Sequence, residues 1–137
     1  MLTLLNKTAE LALHLLEQNG DLVPFCKATT ISGEPLIIMA NVEHGEGPIL
    51  EDEREQCEES AWFELKRRIG AGEIKEFAFC SDSEIKLQSE TAPRRFLKVE
   101  FQNSSEESAV YLFPLKLENG KAEIGRYLMA DVSVKLL

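Results

Sequence analysis

The chain has 137 residues, 44% of them hydrophobic and 28% charged, a size and balance that give a single domain over 1–137 and exclude intrinsic disorder. Its formal net charge is −9, of which −7 falls in residues 43–59, so the remainder is near neutral and offers no basic face for nucleic-acid phosphates. The longest apolar run, from Pro35 to Ala40, is far short of the ~20 residues that a membrane-spanning helix needs.

Residues 3–19 alternate at helical spacing. Thr3, Lys7, Glu10, His14 and Glu17 form one stripe, and Leu4, Leu5, Leu11, Ala12, Leu15 and Leu16 the other. The first cation follows apolar residues and is soon joined by Glu10, the reverse of a secretory leader. The segment therefore reads as a helix of the fold, with a cytoplasmic location expected. His14 falls on the polar stripe as a solvated surface residue. Asn19-Gly20 supplies the left-handed residue that stops the helix.

Residues 22–31 read as a strand, with Pro24 at its start or on an edge because it has no amide to donate. Ser32-Gly33-Glu34 turns it into a second run, Pro35 to Val42, which makes a hairpin. The continuous apolar stretch Leu36–Ala40 predicts a strand covered on both faces, or covered on one face and meeting a partner on the other.

After the loop His44-Gly45-Glu46-Gly47-Pro48, a second helix is expected from about Leu50 to Ile69. Cys57, Ala61, Leu65 and Ile69 form its core ridge, with Trp62 flanking. Acids crowd its first turns and Lys66, Arg67 and Arg68 its last, each sign where the helix dipole favours it. Asp52 and Glu55 have capping-box spacing. Gly70 and Gly72 end it.

The rest is strand-rich. Residues 74–87 place Phe77, Phe79, Ile85 and Leu87 on one parity, and 95–101 alternate Leu97, Val99 and Phe101 with polar residues. Residues 103–107 form a hairpin loop. Ala109, Tyr111, Phe113, Leu115 and Leu117 are the next inward set, and Asn119-Gly120 is the strongest hairpin turn signal in the chain. One or two short strands complete 122–137. The expected class is α+β in the order α-β-β-α-β-β-β-β: a mostly antiparallel, twisted sheet with two helices on one face.

Candidate chemistry is sparse. His44-Gly45-Glu46 ahead of a helix, with Cys80 ending the next strand, has the order of a zinc nucleobase deaminase. The second motif, however, reads Phe79-Cys80-Ser81-Asp82-Ser83, with no proline and one thiolate, and two ligands do not make a catalytic zinc site. Cys26, Cys57 and Cys80 are odd in number and have no Cys-x-x-Cys spacing. They read as buried free thiols rather than a disulfide framework. No nucleophile elbow, phosphate loop or dinucleotide fingerprint occurs. Glu51, Glu55 and Glu59 share a helix face, and their repulsion would be offset by a cation, by Arg54 or by a basic partner. No metal, cofactor or catalytic residue is assigned.

Asn19 to Phe25, Gly70-Ala-Gly-Glu-Ile74, Phe77-Ala-Phe-Cys80, Leu97-Lys-Val-Glu-Phe101 and Phe113-Pro114 follow one another across most of residues 9–117. This succession resembles a family of small uncharacterised bacterial proteins, in which an N-terminal helix leads into a Gly-acidic-x-x-Pro-Phe strand. The resemblance implies the order of elements and carries no activity with it.

These residues point to a non-enzymatic, acidic binding or accessory protein, inhibitor- or immunity-like, that meets a basic protein partner through Glu46, Glu51, Glu55 and Glu59. The alternatives are a small-ligand module and a hydrolase- or deaminase-like enzyme using His44, Glu46 and Cys80. A homodimer is expected, through an open sheet face or an edge strand.

Overall fold

The computed structural model describes residues 2–39, 51–87, 91–105, 107–130, 136 and 137. Its elements are α1 (Leu2–Asn19), β1 (Phe25–Thr30), β2 (Pro35–Met39), α2 (Glu51–Gly70), β3 (Ile74–Ile85), β4 (Arg94–Asn103), β5 (Ser108–Glu118), β6 (Lys121–Ile124) and β7 (Leu128–Ala130). The strands form one antiparallel sheet in the order β2-β1-β3-β4-β5-β6, and β7 joins β5 beside β6. The class and the succession of elements are those expected from the sequence, with a seventh strand from the 122–137 segment.

Local chemistry accounts for the boundaries. Gly20, at φ 72°, closes α1 by donating its N–H to the Leu16 carbonyl at 2.8 Å. Gly72, at φ 74°, ends α2 in the same way, with its N–H on Ile69. Pro24 stands just before β1, so its missing donor is spent outside the ladder, even though β1 lies between β2 and β3 in the sheet.

The helices do not share a face, and this corrects the expectation drawn from the sequence. β3 decides it. Phe77, Ala78, Phe79 and Cys80 are consecutive and all buried, and neighbouring strand residues point to opposite sides. Ala78 and Cys80 pack with Leu97, Val99 and Phe101 under the leucines of α1. Phe77 and Phe79 pack with Cys26, Ala28 and Ile38 under Ala61 and Leu65 of α2. Two apolar layers thus sandwich the sheet, and each buried phenylalanine contributes roughly 1.5–3 kcal/mol. At β1 and β3 the sheet is thus closed on both faces by the chain's own helices.

The helix stripes hold. His14, Lys7, Glu10 and Glu17 are exposed, while Leu4, Leu5, Ala12 and Leu16 are buried. On α2, Cys57, Ala61 and Leu65 are buried, and Trp62 stacks on Phe79 with ring centroids 3.9 Å apart and planes 7° from parallel. Of the two forms expected for β2, coverage on both faces is not found. β2 is an edge strand covered on one face only: Ile38 is buried, whereas Ile37 and Met39 on the other parity are exposed.

Candidate functional site

Where α1 hands over to β1, the chain turns through Gly20 and Asp21. The same corner collects Arg54 and Glu55 from the start of α2, Asp82 and Glu84 from the far end of β3, and Arg95 from the start of β4. Together they line an open cleft of about 580 Å³. Period-two alternation explains the β3 contribution. Ala78 and Cys80 face α1, so Asp82 and Glu84 continue that face past the end of the apolar core.

Two ion pairs organise the cleft. Arg54 donates from Nη2 to Asp21 Oδ1 at 2.6 Å. Arg95 donates from Nε to both oxygens of Asp82, at 3.0 Å each, and from Nη2 to Oδ2. The Asp82 side chain is only 3% exposed and that of Arg95 33%. Enclosing a carboxylate is costly, and a two-pronged guanidinium partner such as this offsets that cost. The hydrogen bond to Asp82 in turn holds the Arg95 proton more tightly, against the opposing effect of partial burial.

Both cleft arginines are committed to aspartates, and two acids are left over. Among the described residues, Glu55 and Glu84 form no ion pair, and both are exposed at the cleft. One turn beyond Glu55 on α2, Glu59 is also exposed. One turn further still is Phe63, 72% exposed, which presents its ring to solvent while its neighbour Trp62 packs inward. At the far end of α2, Glu64 binds both Arg67 and Arg68, at 2.6 and 2.9 Å, which holds its carboxyl down to about 2. The basic end of α2 is in this way partly neutralised.

Of the acids expected to meet a partner, Glu55 forms part of the cleft and Glu59 lies on the adjoining helix surface. Glu46 and His44 lie outside the described residues, as does the side chain of Glu51, whose backbone opens α2 one turn before Glu55. Cys80 is fully buried against the α1 layer, its thiol pushed up by desolvation and by the nearby Asp82 and Cys26. It is thus inaccessible from solvent and does not line the cleft. Sequence reasoning did not foresee Asp21, Asp82, Glu84 and Arg95 as one site. The one available signal was Arg54, the single base in the acidic segment.

No helix among the described residues is long and apolar enough to cross a membrane. No family model, curated protein or solved structure matches this chain.

Proposed function

We propose that the chain is a non-enzymatic binding protein, inhibitor- or immunity-like in manner, whose acidic corner receives a basic protein partner. The observation that carries this reading is the division of charge in the cleft. Arg54 and Arg95 form their ion pairs internally with Asp21 and Asp82, while Glu55 and Glu84, exposed at the cleft, form none among the described residues, and Glu84 feels only the already committed Arg95 across the ladder. A lysine or arginine of the partner supplies their counter-charge. Glu59 extends the acidic field along α2, Glu51 and Glu46 add charge to the same sequence segment, and such a concentration of acid steers encounter with a basic partner. Phe63 gives the partner an aromatic anchor beside the charges.

A small-ligand module is the second reading, since the cleft volume falls in the usual range for such sites. Its lining, in which every residue but Gly20 is charged, favours the protein partner instead. The three free, buried thiols suit a reducing compartment, which supports a cytoplasmic location.

The test is affinity capture at low salt from cells that produce the protein, comparing the wild type with a variant carrying Glu55→Lys, Glu59→Lys and Glu84→Lys. The wild type is expected to retain a basic protein that added salt releases, and the variant to lose it with an unchanged circular dichroism spectrum. Retention of the same protein by the variant at unchanged salt resistance overturns the reading.

A further inference from the structure

The two edges of the sheet are guarded differently. On one side β6 carries Lys121 and Glu123, and the edge breaks at Gly125-Arg126-Tyr127 before β7 resumes it on β5. Charge and interruption are the usual devices that keep a strand edge from pairing with another chain. On the other side β2 reads Pro35-Leu-Ile-Ile-Met39, with no charge along its length.

Hydrogen-bond phase shows what the β2 edge offers. At the turn, Thr30 N–H donates to the Glu34 carbonyl at 2.9 Å. The register then runs Thr29↔Pro35, Ala28↔Leu36, Lys27↔Ile37, Cys26↔Ile38 and Phe25↔Met39. Because bonded and non-bonded pairs alternate in an antiparallel ladder, Leu36 and Ile38 turn their backbone groups toward β1. Pro35, Ile37 and Met39 turn theirs away. The one residue of the strand without an N–H therefore sits where an N–H would point outward.

We infer that β2 is the homodimer interface, and that a second copy pairs with it antiparallel about a two-fold axis at Ile37. In that register Ile37 meets its own counterpart and exchanges both backbone hydrogen bonds with it. Met39 N–H meets the carbonyl of the other copy's position 35, and the reverse bond follows by symmetry. Every outward N–H of the strand thereby gains an acceptor, and the absent donor of Pro35 leaves only a terminal carbonyl unpaired at each end. The side chains agree with the backbone. Ile37 and Met39, 50% and 47% exposed, lie on the parity opposite Ile38 and form a shared apolar strip across the axis. Leu36 and Ile38 carry the α2-side core up to the same seam.

A second copy is the fitting occupant because an uncharged strand meets no like charge at its own two-fold, where a charged one would repel itself. The dimer does bring together two chains of net charge −9. Added salt screens that repulsion and is expected to strengthen dimerisation, opposite in sign to its effect on a basic partner. This inference is independent of the acidic corner, and either can fail alone.

Sedimentation equilibrium of the intact protein at low and high salt tests it, with the Ile37→Lys, Ile37→Cys and Met129→Lys variants. The wild type is expected to dimerise reversibly, more tightly at high salt. Ile37→Lys should weaken the dimer at least tenfold with the fold intact by circular dichroism, and Met129→Lys on the opposite edge should leave it unchanged. Ile37→Cys should cross-link into a disulfide dimer under mild oxidation, since paired strand residues lie within about 5.5 Å of each other. A wild type that is monomeric at high micromolar concentration overturns the inference. So does a dimer that survives Ile37→Lys and dissociates on Met129→Lys.

Discussion

Arg95 stands directly opposite Glu84 in the β3–β4 ladder, yet its guanidinium binds Asp82, two residues away on the same face. The choice follows burial. Glu84 reaches solvent, whereas Asp82 is enclosed and needs compensation for its lost hydration. Asp82→Asn is therefore expected to destabilise the protein by about 2–3 kcal/mol, below the full cost of breaking a buried pair because Arg95 retains some access to water. Glu84→Gln should stay within about 0.5 kcal/mol. Urea denaturation of the two variants measures both, and equal costs would contradict the division of roles in the cleft.

Trp62 and Phe63 are sequence neighbours with opposite duties. Trp62 stacks on Phe79 and meets the edge of Phe77 at 6.0 Å, whereas Phe63 makes its surface available to solvent. Trp62→Ala should cost about 3 kcal/mol of stability. Phe63→Ala should cost less than about 0.5 kcal/mol while weakening capture of a basic partner. Chemical denaturation of both variants, followed by circular dichroism, separates them.

The strands, their turns and both helix stripes were legible because each rests on local pattern: alternation for β4 and β5, Asn119-Gly120 for the β5–β6 turn, glycines at the helix ends. The placement of the helices is not legible from one parity of β3, that of Phe77 and Phe79, alone. The intervening Ala78 and Cys80 are also apolar, and such a run marks a strand covered on both faces. The acids Glu55 and Glu59 could be picked out by composition. Their setting could not, since Arg54, Asp82 and Arg95 come from three separate elements and Asp21 from the α1–β1 connection, and no local spacing foretells a contact between residues 21 and 54.

Gln102 is a buried amide with assigned work on both ends. Its Oε1 accepts from Leu136 N at 2.7 Å and from Leu137 N at 3.3 Å, and its Nε2 donates to Glu100 at 3.1 Å. Gln102→Leu keeps the bulk but strands those groups, at an expected cost of about 1–3 kcal/mol. The amide of Leu136 should lose its protection in hydrogen exchange. Unchanged protection at Leu136 would show that the amide is held by something other than Gln102.

Two glutamates should move stability in opposite directions with pH. Glu100, half-buried on β4, has its carboxyl pushed above the usual 4.5 by desolvation, with the Gln102 hydrogen bond and the Lys98 charge acting against it. A carboxyl raised on folding binds more protons in the native state, so its contribution is full below about 4.5 and is lost as pH rises through the native value. Glu64 is the reverse. Held down to about 2 by hydrogen bonds from Arg67 and Arg68, it contributes stability above 4.5, and this is lost as pH falls from 4.5 toward 2. Glu100→Gln is thus expected to raise the melting temperature at neutral pH, with the gain disappearing in acid. Glu64→Gln is expected to lower it at neutral pH, by an amount that high salt reduces because the ion pairs are on the surface. Thermal unfolding of both variants at neutral pH and below pH 4.5 measures the two slopes, and a neutral-pH loss for Glu100→Gln would contradict the cost assigned to burying that carboxylate.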